Sequence, residues 1–142
     1  MFTGAYTHAV DGKGRIAVPA RFREELDGEV VAARWIDACL ALFPKRAWDE
    51  IAAKLGALPM TDPTVRLLQR RLFGWAFETE VDKQGRMLLP QNLREAAGLE
   101  DEAVILGMGD HVEIWAPSRW SPVEVGLADD AAFAEAVSKI GI

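Results

Sequence analysis

The sequence predicts an α+β fold made of two related repeats that pack into one core. The first observation is a ten-residue phrase that occurs twice, VDGKGRIAVP at residues 10–19 and VDKQGRMLLP at residues 81–90. The second is a further match in the same order, LALFPKRAW at residues 40–48 against VEIWAPSRW at residues 112–120. The third is that strand-like alternation and helical spacing both occur in each copy. A unit of about 45 residues is small for independent stability, so the two copies are expected to share one core.

Each repeat is predicted to begin with two short strands around a tight turn. Residues 6–10 and 77–81 alternate apolar and polar side chains, which is the pattern of half-buried strands. The Asp-x-x-Gly that follows is turn chemistry, because the carboxylate can accept hydrogen bonds from nearby backbone N–H groups and glycine tolerates positive φ. Branched residues then predict second strands over residues 15–18 and 86–89. The turn-forming residues are Asp11, Gly14, Asp82 and Gly85.

A short helix is predicted to follow the second strand of each repeat. Pro19 and Pro90 are expected at the first helical position, where the missing N–H of proline costs no hydrogen bond. Gly98 is expected to end the second of these helices. Apolar residues four apart mark the inner faces, Phe22 with Leu26 and Leu93 with Ala97.

The rest of the chain predicts two hairpins and three further helices. The hairpins cover residues 29–43, turning near Asp37, and residues 103–115, turning at Gly109 and Asp110. The helices cover residues 45–56, 63–73 and 128–139. The helix over residues 63–73 is expected to direct Val65, Leu68 and Leu72 inward, and residues 121–130 are expected to form a loop.

These elements give four predicted segments. Repeat 1 covers residues 5–51 and repeat 2 covers residues 77–123. A helical connector at residues 52–76 joins them, and a C-terminal helix occupies residues 124–142.

The distribution of charge is more informative than its total. The net charge is −6 and the isoelectric point about 4.9, which taken alone argues against nucleic-acid binding. Yet residues 13–23 contain four basic residues and no acid, and residues 83–94 contain three basic residues and no acid. The repeated phrase therefore lies in two locally basic segments of an acidic protein. Their basic residues are Lys13, Arg15, Arg21, Arg23, Lys83, Arg86 and Arg94.

The residues needed for catalysis or metal binding are sparse. The chain has two histidines, His8 and His111, and one cysteine, Cys39, so no usual zinc set is available. No serine lies in a Gly-x-Ser-x-Gly elbow, and the Gly-x-Gly at residues 107–109 lacks the third glycine and the helix of a phosphate-binding loop. We therefore predict no catalytic residue, no metal, no cofactor and no small-molecule substrate. The apolar runs are also shorter than the ~20 residues that span a bilayer.

Three conspicuous side chains are interpreted as buried. A single cysteine cannot form an internal disulfide, which fits a reducing cytoplasm, and Cys39 is read as a small buried hydrophobic residue. Trp48 and Trp120 recur at matching places in the two repeats, among other large apolar residues. They are read as core or subunit-contact residues rather than platforms on which bases stack.

The aspartates and arginines of the repeated phrase allow two interpretations each. Asp11 and Asp82 could form an acid–base pair, but capping of the turn is the commoner role. Arg15 and Arg86 could be solvated side chains paired with the aspartate four residues earlier. Alternatively, a rigid glycine turn projects each arginine towards a partner. Two arginines related by a pseudo-twofold axis suit duplex DNA, whose half-sites recur at helical spacing, and a guanidinium binds guanine edges and phosphates well.

These motifs resemble those of the MraZ family, bacterial transcriptional regulators built from two AbrB-type (SpoVT-AbrB) DNA-binding repeats. The resemblance rests on two ordered Asp-x-x-Gly-Arg phrases, each followed by proline and an Arg-Glu helix, and on VEIWAPSRW. It implies a swapped-hairpin β-barrel formed by both repeats, with flanking helices. It also implies ring-like homo-oligomers, binding to G-rich direct repeats upstream of the protein's own operon of division and cell-wall genes, and a cytoplasmic, nucleoid-associated location.

The resemblance carries specific roles to four residues. Arg15 and Arg86 would contact double-stranded DNA, with Lys13 and Lys83 nearby as support. The two lysines are displaced by one position, because Gly12-Lys13 in repeat 1 corresponds to Lys83-Gln84 in repeat 2. Two other functions stay open from the sequence: an antitoxin-like DNA-binding protein with a toxin partner, and a structural ring that does not bind DNA.

Overall fold

The computed structural model describes the whole chain, Met1–Ile142, as an α+β protein with eight strands and six α-helices. The strands are β1 Ala5–Ala9, β2 Arg15–Ala17, β3 Glu29–Arg34, β4 Leu40–Pro44, β5 Phe77–Glu80, β6 Arg86–Leu88, β7 Glu102–Gly107 and β8 Val112–Trp115. The helices are α1 Ala20–Arg23, α2 Lys45–Gly56, α3 Pro63–Leu72, α4 Gln91–Ala97, α5 Pro117–Leu127 and α6 Asp130–Ile140. The predicted α+β class is confirmed.

The two repeats interleave in the sheets. A six-stranded antiparallel sheet has the order β1-β7-β8-β4-β3-β5, so the first strand of each repeat pairs with the hairpin of the other repeat. The two hairpins join along β4 and β8 at the centre. A second sheet contains only β2 and β6, one strand from each repeat. In this arrangement neither repeat can complete its strand pairing without the other.

The six-stranded sheet is open. Strands β1 and β5 are its edges, and each edge meets the two-stranded sheet only through one isolated bridge, Val10 with Ile16 and Val81 with Met87. The closed β-barrel implied by the resemblance is therefore not formed by the strand ladders.

The main core draws on both repeats, as predicted. Ile16 and Met87 face each other in the two-stranded sheet and have no exposed surface. Phe22 and Leu93, on α1 and α4, are buried in the same cluster. A shared core explains why two units of this size are stable together, since each supplies the apolar surface that covers the other.

The prolines of the repeated phrase precede the helices instead of opening them. Pro19 has ψ 134° and Pro90 has ψ 156°, both extended, so each occupies the capping position before the first helical residue. Their carbonyls accept the first hydrogen bonds of the helices, at 2.9 Å from the N–H of Phe22 and 3.1 Å from that of Leu93. The expectation that proline occupies the first helical position is wrong by one residue.

The loop predicted over residues 121–130 is mostly helix. Helix α5 runs from Pro117 to Leu127 with Pro122 inside it. Trp120 anchors this helix, because its ring packs 5.5 Å from that of Trp115 in a cluster with Cys39. The packing of Trp120 compensates for the one hydrogen bond that Pro122 cannot donate. Another difference is Leu68 on α3, which is exposed although its spacing predicts an inward side chain.

The predicted buried residues are confirmed. Cys39, Trp48 and Trp120 are all buried. The hairpin turns at Asp37 and Gly109 are also present; Asp37 has φ 65° and Gly109 has φ 84°. None of the helices has the length and apolar composition that crossing a membrane requires.

Candidate nucleic-acid interface

The two Asp-x-x-Gly-Arg turns have nearly the same hydrogen bonds. In turn 1 the Gly14 N–H donates to the Asp11 carbonyl at 3.0 Å, and Asp11 Oδ1 accepts from the N–H groups of Lys13 and Arg15, both at 2.9 Å. The glycine has φ 81°. The aspartate therefore caps the turn, and the glycine supplies the left-handed conformation that other residues adopt at a cost.

Turn 2 repeats this geometry seventy-one residues later along the chain. The Gly85 N–H donates to the Asp82 carbonyl at 3.0 Å, and Asp82 Oδ1 accepts from the N–H groups of Gln84 and Arg86, both at 2.9 Å. Gly85 has φ 76°. The structure thus places all four predicted turn-forming residues in the turns.

Capping lowers the pKa of both aspartates. The backbone N–H of Arg15 has the largest effect on Asp11, and that of Lys13 acts in the same direction, so the pKa of Asp11 lies below its ordinary value of 3.8 despite the opposing effect of partial desolvation. The Arg86 N–H lowers the pKa of Asp82 in the same way. Both side chains are therefore anionic near neutral pH and do not suit a general acid.

The two turns lie side by side because β2 and β6 pair. Arg15 is opposite Leu88 and Ala17 is opposite Arg86, so a pseudo-twofold axis passes between Ile16 and Met87. Each turn also binds the end of the other repeat's strand: the Gly85 carbonyl accepts from Val18 N–H at 2.8 Å, and the Gly14 carbonyl accepts from Leu89 N–H at 2.9 Å. Four backbone groups at the turns are thereby satisfied between repeats.

Arg15 and Arg86 project from the same face of this small sheet. Side chains alternate between faces along a strand, so the burial of Ile16 and Met87 on one face places both arginines on the other. Their side chains are 29% and 32% exposed. Both guanidinium groups reach one carboxylate oxygen, Asp11 Oδ2, which lies 2.9 Å from Arg15 Nε and 3.8 Å from Arg86 Nη1. The face that carries these two turns, residues 11–15 and 82–86, is called the turn face below.

The two arginines are held differently. Arg15 donates from Nε to Asp11, and its two terminal nitrogens make no hydrogen bond within the chain. Arg86 Nε lies 3.6 Å from Asp82 Oδ2, beyond hydrogen-bonding distance, and is buried without an acceptor. Its Nη2 donates to Gln84 Oε1 at 3.3 Å. The difference follows from the sequence, because repeat 1 has Lys13 where repeat 2 has Gln84.

The two lysines are exposed but not equivalent. Lys13 is the third residue of turn 1, and its own N–H takes part in the turn. Lys83 is the second residue of turn 2, and the capping N–H there belongs to Gln84. They add positive charge at different points of the turn face.

Arg23 and Arg94 form a second arginine pair that sequence reasoning did not assign to the site. Arg23 Nε donates to the Val18 carbonyl at 3.0 Å, and Arg94 Nε donates to the Leu89 carbonyl at 2.9 Å. Each guanidinium lies against the glycine of the other repeat's turn, so that a Cβ at Gly85 would overlap Arg23 and a Cβ at Gly14 would overlap Arg94. The signal in the sequence was their matching position after the repeated phrase.

The turn face lies apart from the larger surface grooves of the protein, and no residue of either turn lines them. No group of histidine, cysteine, aspartate and glutamate side chains is arranged to hold a metal ion. Fold and site together define a two-repeat α+β protein whose interleaved repeats display paired arginines on adjacent turns.

Comparison with known proteins identifies the family. A family model described as "MraZ protein, putative antitoxin-like" matches residues 1–71 and again residues 72–139. The chain belongs to the MraZ family, and the resemblance seen in the sequence is confirmed. As a member of a family of transcriptional regulators, it is not an enzyme.

Curated relatives match over most or all of their length. Proteins named "Transcriptional regulator MraZ" are 46% identical in Roseiflexus sp. (strain RS-1), over 99% of both chains, and 47% identical in Herpetosiphon aurantiacus, over 100% of both. A relative of the same name in Heliobacterium modesticaldum is 51% identical over 85% of each chain.

Proposed function

We propose that this protein is a sequence-specific transcriptional regulator that binds double-stranded DNA through the turn face. One observation carries the proposal: the guanidinium groups of Arg15 and Arg86 converge on the same oxygen of Asp11 from one side of the β2–β6 sheet. A single partner can therefore meet both arginines at once. The names of the relatives support a regulatory role.

The chemistry of the turn face suits DNA. Arginine binds guanine O6 and N7, or a phosphate, through two parallel N–H groups, and the terminal nitrogens of Arg15 are free to do so. Asp11 holds the Nε edge of Arg15 and so limits the rotamers that binding must otherwise fix. Lys13 and Lys83 would contact phosphates, which would position the protein without reading sequence.

The closeness of the arginines limits what one chain can read. DNA half-sites bound by dimeric regulators recur about 34 Å apart, one helical turn. Two guanidinium groups that share one carboxylate oxygen instead address neighbouring positions in a single groove. One chain would then read one short element, and repeated elements would require several chains.

The finer parts of the proposal follow from the resemblance and fit this geometry. The target would be G-rich direct repeats upstream of the protein's own operon of division and cell-wall genes, bound by a homo-oligomeric ring in the cytoplasm, at the nucleoid. The crossed pairing of β1 with β7 and of β5 with β3 supports a swapped-hairpin arrangement of the AbrB type. Repeats at residues 5–51 and 77–123, the connector at 52–76 and a C-terminal segment at 124–142 are its proposed units.

Fluorescence anisotropy on a duplex from the region upstream of the protein's own gene tests the proposal. Arg15→Ala and Arg86→Ala should each weaken binding by about 1–3 kcal/mol for every base that the arginine no longer reads, with unchanged circular dichroism. Affinity of the wild-type protein should also fall steeply between low and moderate salt, because bound phosphates release counterions.

Arg46→Ala is the matched control. Arg46 is exposed on α2, outside the turn face, and its replacement removes the same charge. It should leave affinity nearly unchanged. If Arg15→Ala and Arg86→Ala bind DNA as tightly as Arg46→Ala does, the turn face is not the DNA-binding surface.

A further inference from the structure

The C-terminal arm, residues 124–142, carries an apolar stripe that nothing in the chain covers. On α6, Phe133, Val137 and Ile140 follow helical spacing, and Phe133 and Ile140 are 68% and 75% exposed. Helix α6 has no buried residue. A helix with an uncovered apolar stripe is typical of one that packs against a partner.

The length of α6 strengthens this argument. It has 11 residues and ends in a left-handed glycine, Gly141. Isolated helices shorter than about 12–15 residues are marginal in water, and packing of an apolar face supplies most of the stability that such a helix has in proteins. The arm therefore needs a surface to bind.

A second uncovered apolar surface lies beside the tip of the hairpin of repeat 1. A groove of about 470 Å³ runs between the tip of the β3–β4 hairpin and α3. We call it the α3 groove; its apolar lining consists of Trp35, Ile36, Leu67, Leu68 and Leu72. Leu67 is 65% exposed, and Leu68 is the residue that the helical pattern had placed inward. Large exposed apolar patches of this kind mark interaction sites.

Two arginines border the α3 groove and are fixed in place. Arg71 Nη2 donates to the Trp35 carbonyl at 3.0 Å, and Arg34 lies over the ring of Trp75 at 4.3 Å from its centre. Both are held by uncharged partners and can still attract a carboxylate. The groove thus combines an apolar floor with a rim that carries these two arginines and one acid, Asp37.

The charges of the arm and the groove are complementary. Helix α3 carries three arginines, Arg66, Arg70 and Arg71, and no acid. The arm carries acids at its start and middle, including Asp129, Asp130 and Glu135, against one base, Lys139. An acidic, apolar helix fits a basic, apolar groove in both hydrophobicity and charge.

We propose that α6 of one copy of this chain docks in the α3 groove of a second copy. The inference rests on the homo-oligomer included in the proposed function and names the surfaces that would build it. Because arm and groove are different patches, the contact is head-to-tail, and repeated use of it closes into a ring or continues as a filament. Neither patch includes a residue of the turn face, so assembly leaves that face free.

The test uses two acidic substitutions in the full-length chain, examined by sedimentation velocity and light scattering at micromolar concentration. Phe133→Asp disables the arm and Leu68→Asp disables the groove. Each variant alone should have the mass of one chain, 15.6 kDa. Ser138→Asp, on the opposite side of α6, and Met60→Asp, at an exposed apolar residue outside the groove, should assemble like the wild-type protein.

Mixing the two disabled variants in equal amounts gives the decisive result. The intact arm of Leu68→Asp can enter the intact groove of Phe133→Asp, but no further copy can add. A species of twice the chain mass should therefore appear only in the mixture. Arm-to-arm pairing would leave Leu68→Asp assembled, and a mixture that stays monomeric or a Phe133→Asp protein that still assembles overturns the proposal.

DNA binding by the same proteins separates this inference from the proposed function. A wild-type protein that is monomeric yet loses DNA affinity on Arg15→Ala refutes only the docking of the arm. If the wild-type protein assembles as described but Arg15→Ala binds DNA with the same affinity, only the DNA-binding face is refuted. Circular dichroism of each variant establishes that it is folded.

Discussion

Replacing Gly14 by alanine should destabilise the protein by more than its left-handed backbone alone explains. Gly14 has φ 81°, and the new Cβ would overlap the guanidinium of Arg94, which belongs to the other repeat. The side chain of Arg94 can move away, but it then loses the hydrogen bond from its Nε to the Leu89 carbonyl at 2.9 Å. The substitution in the turn of repeat 1 therefore removes a hydrogen bond in repeat 2.

Two contributions determine how much Gly14→Ala lowers the free energy of unfolding. An alanine in the left-handed region costs roughly 1–2 kcal/mol. Loss of the arginine hydrogen bond costs about 1–2 kcal/mol, towards the low end for a charged donor because Arg94 is only partly buried. The free energy of unfolding should fall by about 2–4 kcal/mol in total.

Two other glycines serve as matched controls in urea denaturation followed by tryptophan fluorescence. Gly28 has φ 86° but open space where a Cβ would lie, so Gly28→Ala should show the backbone cost alone. Gly12 has open space and no positive φ, so Gly12→Ala should cause no loss. The double variant Gly14→Ala with Arg94→Ala should lose less than the sum of the single changes, by about 1–2 kcal/mol.

Equal losses for Gly14→Ala and Gly28→Ala would refute the reasoning. So would additive losses in the double variant, since the arginine would then not be coupled to the turn of the other repeat.

Two further predictions concern titratable groups. Burial, with Glu113 and Asp37 nearby, raises the pKa of Cys39 to about 12, so its thiol should not react with Ellman's reagent at pH 8 until the protein unfolds in urea. The folded pKa of Asp11 and of Asp82 is depressed, so the stability they contribute is present above about pH 3.8 and lost as the pH falls through the folded value. Asp11→Asn or Asp82→Asn should therefore weaken the pH dependence of the free energy of unfolding, measured by urea denaturation, below that pH. An unchanged pH dependence in this acidic range would contradict the capping roles.

The sequence predicted best what is determined locally. The turns at Asp11 and Asp82 follow from side-chain chemistry within four residues, and both formed as expected. The repeat also predicted the shared core, because neither copy could be stable alone. These features need no knowledge of which distant segments meet.

Features that depend on distant segments were missed. Nothing near Arg23 in the sequence indicates that it lies against Gly85, since this proximity arises only when β2 pairs with β6. Helix α5 was missed because Pro122 is a local signal against a helix, whereas Trp120 stabilises it by packing against residues far along the chain. Leu68 was placed inward because helical spacing cannot distinguish a core from an uncovered groove.

The small differences between the two turns bear on how the protein would lie on DNA. Turn 1 gives Arg15 Nε an acceptor within the chain, whereas turn 2 leaves Arg86 Nε buried without an acceptor. An unpaired buried donor costs about 1–3 kcal/mol, which a bound partner can relieve if Arg86 shifts towards it. Because turn 1 and turn 2 are not equivalent, the turn face has a direction, which perfect twofold symmetry would remove. A directional face suits direct repeats, because every copy in a head-to-tail assembly then meets its element in the same orientation, whereas inverted repeats require copies related by a twofold axis.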